Sequence, residues 1–130
     1  MRKSLLIAAR AALFGCALIT AVFAFSPPGS GRHLFPWDKA DHFSSFLAIT
    51  TAAIVAFPRL PLVWIAIAVS ASGGAIELIQ GLPGVGRDCD VWDWVAENAA
   101  IGAVIALVIA VELRRRLAAP NGGAAAVSDR

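Results

Sequence analysis

Apolar residues in this chain gather in long runs broken by short polar punctuation, rather than in the regular polar–apolar alternation of a water-facing helix. About 20 residues rising 1.5 Å each cross roughly 30 Å of hydrocarbon. Four runs approach that length. The first covers residues 5–25 and ends at the breaker Ser26-Pro27-Pro28-Gly29-Ser30-Gly31. The second covers 43–57 and reaches spanning length only if its helix begins near Asp38. The third extends from 62 to about 80 between Pro58, Pro61 and Pro83. The fourth covers about 94–111 and stops at Arg114-Arg115-Arg116, before a tail, AAPNGGAAAVSDR, that reads as disordered. The expected fold is all-α, an integral membrane bundle of four transmembrane helices. Residues 1–35 would form the first helix and an outer loop, 36–112 three further helices, and 113–130 a basic and then disordered tail.

Composition agrees with lipid as the solvent. The chain is 58% hydrophobic and 15% charged, with a mean hydropathy of +0.74. A soluble domain carries about a quarter charged residues. Cys16 and Cys89 are too few for a disulfide scaffold. No internal repeat occurs, and no aromatic–basic interleaving points to nucleic acid as a partner.

The basic residues set an orientation. With the N-terminus cytoplasmic, Arg2, Lys3, Arg10, Arg59, Arg114, Arg115, Arg116 and Arg130 lie inside, and Arg32, Lys39 and Arg87 outside. Eight against three places both termini in the cytoplasm. Asp38, Asp41, Glu77, Asp88, Asp90, Asp93 and Glu97 then fall at the outer end with both histidines, His33 and His42. The start of the chain also has signal-peptide features, namely a basic beginning, an apolar core and Val22-x-Ala24. The length of the run and Arg10 within it favour a retained helix, and either outcome leaves the acidic end outside.

Three polar pieces meet at that end. In Pro36 to Phe46, PWDKADHFSSF, Asp38 is placed to cap the second helix and to suit its dipole. Asp38 and His42 are i,i+4 neighbours on one face, with Asp41 beside them. Helix capping at the headgroup level explains Asp38 and Asp41 without any function. It does not require His42, which beside carboxylates has acid, base or ligand chemistry near neutral pH. In the second piece, Glu77 and Gln80 share a face about one turn inside the third helix, where an ionisable group calls for a specific partner, either Lys39 or Arg87 in an ion pair or a hydrogen-bonding group beside a protonated carboxyl. Gly73-Gly74 just before them permits close helix approach. In the third, Asp90 and Asp93 stand where the fourth helix should start, and Asp93 and Glu97 share a face with Asn98 beside them. Cys89 lacks the CxxC or HxxxH spacing of a metal site, and no metal or cofactor is expected.

In order, Asp38-Lys39-x-x-His42-Phe43-x-x-Phe46, Glu77-x-x-Gln80, and Arg87 followed by Asp90-x-x-Asp93 and Glu97-Asn98 resemble the VanZ-like family over residues 36–110. The family is named for an accessory determinant of resistance to the glycopeptide teicoplanin, and its biochemical activity is not established. The resemblance implies a multi-pass protein of the bacterial inner membrane with Asp38, Lys39, His42, Glu77, Gln80, Arg87 and Asp93 as signature positions. Glu97 and Ala100 stand where the family pattern usually has Asn and Gly.

The expected function is a polar site at the periplasmic membrane edge that binds or acts on an anionic envelope component, such as a lipid-linked cell-wall intermediate. His42, Asp38 and Glu77 are the candidates for catalytic work, with Lys39, Gln80, Arg87 and Asp93 as ligand-binding positions. Whether any bond is made or broken is open. The competing expectation is a scaffold whose charges only hold helices together while it binds a membrane protein partner. A transporter fits less well, because no charged residue lies mid-span.

Overall fold

The computed structural model describes residues 2–26, 34–85 and 87–119. The breaker beyond Ser26, His33, Arg32 and the tail from residue 120 lie outside the described residues. Four helices follow in order: α1 (Arg2–Ala24), α2 (Asp38–Ala56), α3 (Leu62–Gln80) and α4 (Val91–Ala118). No strand occurs among the described residues. By length and apolar composition α1, α3 and α4 are able to cross a membrane. α2 is not among them, since Asp38, Lys39, Asp41 and His42 occupy its first turns.

Punctuation sets the helix ends. Pro61 precedes α3 as its N-cap, where the missing N–H costs nothing. Past α3, the Val85 amide donates to the Leu82 carbonyl across Pro83-Gly84, with Gly84 at φ +96. A type II turn needs a positive φ at its third residue, and Gly supplies it. α4 starts at Val91, three residues earlier than the apolar run suggests, because the Asp90 side chain caps it by accepting from the Trp92 amide at 2.9 Å. It also continues through Arg114–Arg116. Three arginines end an apolar run but not a helix, since Arg is a good helix former and suits the negative C-terminal end. Glu112 and Arg116 pair at 2.8 Å across one turn there.

Asp38 does not cap α2. The N-cap is Trp37, which makes no side-chain cap bond, and Asp38 is the first helical residue. Asp41 instead reaches back, its Oδ1 accepting from the Leu34 and Phe35 amides at 3.0 Å each. This folds the segment before α2 over the helix start.

α2 packs mainly against α4 and α1, and α3 lies chiefly against α4. The core contains Phe46, Ile49 and Ala53 of α2, Ile65 and Val69 of α3, and Ala100 and Ile101 of α4. Three- and four-residue spacing on α2 and α3, and on α4 from Asp93 through Glu97 and Ala100 to Val104, marks one buried stripe per helix. Leu13 and Cys16 of α1 pack against this core from outside. The exterior is apolar too: Phe14 is 72% exposed, Leu78 72% and Leu117 77%. Leaving such side chains outside while burying Glu77, Gln80, Asp93 and Glu97 inverts the arrangement of a soluble bundle and suits a lipid surrounding.

Candidate functional site

The buried acidic residues meet at one end of the bundle. His42 sits in the second turn of α2, with its side chain 11% exposed. Its Nδ1 lies 2.9 Å from Glu97 Oε1 on α4 and 3.8 Å from Glu77 Oε1 on α3. Its Nε2 lies 3.8 Å from Asp93 Oδ2, one turn before Glu97. Three helices thus present four ionisable groups to one point. The i,i+4 spacing of Asp93 and Glu97 lets α4 flank both edges of the imidazole.

Each carboxylate has a different environment. Asp93 accepts through Oδ1 from the Lys39 ammonium at 2.8 Å, and the same ammonium donates to Asp90 Oδ2 at 2.6 Å. Lys39 therefore ties α2 to the start of α4. The Lys39 ammonium, followed by the Trp92 amide, holds the Asp90 carboxyl below the ordinary carboxylate range. Glu77 accepts through Oε2 from the Asp90 backbone amide at 3.1 Å. Of the two partnerships open to it, the ion pair with Lys39 or Arg87 is not formed, because Lys39 is drawn to the two aspartates and Arg87 points toward α1. Arg87 lies 3.9 Å from Asp38 and donates to the Phe23 carbonyl at 3.3 Å.

Glu97 is fully buried, and Glu77 is 4% exposed. Glu97 Oε2 and Glu77 Oε1 are buried with no hydrogen-bond partner. Such atoms are rare and call for a physical account. Space for Glu97 is made by Gly73: a Cβ there would overlap Glu97 Oε2. Gly74 faces the Trp94 ring instead, where a Cβ would stand 3.4 Å from Nε1.

The other sequence candidates are placed differently. Gln80, 2% exposed, donates from Nε2 to the Ala24 carbonyl at 2.8 Å and so fastens α3 to the end of α1. Asn98 turns away from the cluster, accepting from Ser70 Oγ at 2.7 Å and donating to the Trp94 carbonyl at 2.7 Å. Exposed Cys89 and half-buried Cys16 are both free thiols. Glu97 is the residue that motif matching passed over, and the signals for it were its i,i+4 relation to Asp93 and the glycine opposite.

A cleft of about 30 Å³ opens toward His42 between Asp38, Ser45, Arg87 and the end of α1. That is room for about one water or a small ion. A second feature lies on the far side of Lys39, an apolar groove of about 510 Å³ lined by Phe35, Trp37, Phe43, Trp92, Val95 and Ala99. Among the described residues, the carboxylates of Asp38, Asp41, Glu77, Asp90, Asp93 and Glu97 stand near His42 with the cations Lys39 and Arg87. Formal charge among these described residues is negative. Chemically the arrangement is able to accept a cation, hold a proton between imidazole and carboxylate, or brace three helices. Compared with protein-family models, curated proteins and solved structures, the chain matches none.

Proposed function

We propose that this chain is a VanZ-like protein of the bacterial inner membrane that engages a lipid-linked, anionic component of the cell envelope at the periplasmic membrane edge. In this reading all four helices cross the bilayer with both termini in the cytoplasm, following the bias of basic residues. α2 completes the crossing despite its polar start because α1, α3 and α4 shield it and its charges lie at the interface. The observation that carries the reading is the junction at Lys39, which belongs both to the buried His42 cluster and to the aromatic-lined groove. An apolar chain laid in the groove would bring its polar head to Lys39 and the cluster. Trp37 and Trp92 at the groove suit the headgroup level.

Lys39 already bonds Asp90 and Asp93, and Arg87 contacts Asp38 and Phe23. Anion recognition would therefore proceed by exchange, with an incoming phosphate or carboxylate taking over part of the hydrogen bonding of one of these cations. Arg87 is the better placed, since its contacts are the longer. The same dense pairing favours the second reading, in which the cluster is a brace and the chain an accessory subunit of a membrane partner.

Cell-wall antibiotic tolerance separates the two. In a host that gains glycopeptide tolerance from this chain, His42→Ala and Arg87→Ala are expected to abolish it at unchanged membrane abundance. Unchanged tolerance in both variants would refute the site; loss of the folded protein in every cluster variant would favour the brace.

A further inference from the structure

We infer that His42 Nδ1, Glu77 and Glu97 form a binding site for one divalent transition-metal ion, of the zinc type, between α2, α3 and α4. The three residues offer ligand atoms that all lie within 4.8 Å of one another. Four-coordinate zinc with bonds of about 2.1 Å spaces its ligands about 3.4 Å apart. The imidazole-to-carboxylate distances of 2.9 and 3.8 Å bracket that value.

Proximity of acidic groups alone would not suffice. The second observation is that one oxygen on each glutamate, Glu77 Oε1 and Glu97 Oε2, is buried and without a hydrogen-bond partner. Glu77 Oε1 faces the imidazole directly. Among the described residues no lysine or arginine pairs with either glutamate, whereas Asp93 has Lys39 and Asp38 has Arg87. The alternative triad Asp38, His42 and Asp93 is also within ligand distance, but its carboxylates are already matched by cations. The uncompensated charge belongs to the glutamates. The one positive group beside them is the His42 imidazole when it is protonated; it offsets at most one of the two buried carboxylates, whereas a divalent cation meets the need for both.

The surroundings are those of a supported metal site. Coordination through Nδ1 leaves the Nε2 proton facing Asp93 Oδ2 at 3.8 Å, on a carboxylate whose other oxygen is held by Lys39. A carboxylate behind the histidine is the usual orienting partner of a metal ligand. Glu77 is fixed through its other oxygen by the Asp90 amide. Gly73 leaves room for Glu97 Oε2. One imidazole with two carboxylates suits zinc or a neighbouring transition metal better than magnesium, which takes oxygen ligands. The cleft beside His42 reaches the imidazole itself. The inference stands apart from the envelope reading, since the purified chain binds metal or does not whatever its role in cells.

The test uses the full chain purified in detergent and stripped with chelator, titrated with Zn²⁺, with Co²⁺ as the spectroscopic probe and Mg²⁺ as control. Expected are one zinc per chain and a cobalt absorption spectrum that zinc abolishes. Glu97→Gln and His42→Ala should each weaken binding by about 100-fold or more, and Asp93→Asn by roughly 10- to 100-fold, the range for an orienting partner. Asp38→Asn should change affinity little. Because a ligand variant that merely unfolds also loses metal, His42→Cys provides a gain of signal: a thiolate-to-cobalt charge-transfer band that an unfolded chain would not show as a one-to-one complex. Absence of stoichiometric zinc in a chain that circular dichroism shows to be helical would overturn the proposal. So would equal affinity in His42→Ala, or magnesium competing on equal terms with zinc.

Discussion

Gly73→Ala adds one methyl group at the most crowded point of the bundle. The new Cβ would overlap Glu97 Oε2 and stand 2.9 Å from Glu97 Cδ and 3.1 Å from Phe46 Cε1. Real carbon–oxygen contacts do not approach that closely, so Glu97 has to move. It is fully buried, and its other oxygen is engaged with His42 at 2.9 Å, so movement on either side sacrifices an interaction. Overpacking a core by a methyl group costs about 1–3 kcal/mol. Losing a hydrogen bond to a charged group costs about 1.5–3 kcal/mol. Against these, alanine is better than glycine inside a helix by about 1 kcal/mol. Taken with partial relaxation, the net expectation is a loss of about 2–4 kcal/mol. Gly102, also helical, has open space within 4 Å of the point where a methyl group would stand, so Gly102→Ala should be neutral or stabilising by up to about 1 kcal/mol. Thermal unfolding in detergent, followed by circular dichroism, compares the two. The pair Gly73→Ala and Glu97→Ala forms a double-mutant cycle: with the glutamate shortened, the Gly73 substitution should cease to destabilise. If Gly73→Ala unfolds no earlier than Gly102→Ala, or costs the same in both backgrounds, Gly73 does not make the space for Glu97.

Other expectations can be checked in the same preparations. Gln80→Leu leaves the Ala24 carbonyl without its buried donor and should cost about 1–3 kcal/mol, read as a lower unfolding temperature; an unchanged value would show that the α1–α3 link is inert. The Asp90 carboxyl is depressed by Lys39 and the Trp92 amide, so its contribution to stability is present above the unfolded value of about 3.9. That contribution fades as pH falls through the lower folded value. Asp90→Asn should therefore destabilise at neutral pH and progressively less in acid; a constant difference across that range would refute the linkage. In a Cys16→Ala background, exposed Cys89 should react with a membrane-impermeant maleimide added to intact spheroplasts. Protection until the membrane is permeabilised would reverse the proposed orientation.

The helices were largely legible because their boundaries rest on local chemistry. Pro61 and the Pro83-Gly84 turn delimit α3 at the positions expected, and length arithmetic put the start of α2 at Asp38. The end of α4 was not legible, because an arginine triplet marks a limit for lipid but none for helical backbone. The meeting of three polar pieces at one end also followed from the sequence. Their pairing did not. Adjacent positions on a helix point about 100° apart, so Glu97 and Asn98 compete for the inward direction. Helix rotation, a tertiary property, turns Glu97 to His42 and Asn98 to Ser70. In the same way, whether Glu77 meets Lys39 or the Asp90 amide depends on how α3 and α4 slide past each other. Gly73-Gly74 signalled a close approach, but only packing assigns Gly73 to Glu97 and Gly74 to Trp94.

The last turn of α1 is finished by residues that are made much later. Its Ala24 carbonyl accepts from Gln80 and its Phe23 carbonyl from Arg87, 56 and 64 positions further along. At a synthesis rate of 5–20 residues per second, the first of these donors trails its acceptor by about 3–11 s. Once α2 is made, and until Gln80 arrives, the hairpin of α1 and α2 has to persist on apolar contacts and on the Arg10 guanidinium over Phe57. The bundle is therefore closed late and from the end that carries the His42 cluster. A ribosome stalled between α2 and α3 would leave behind two helices in contact but without their clasp.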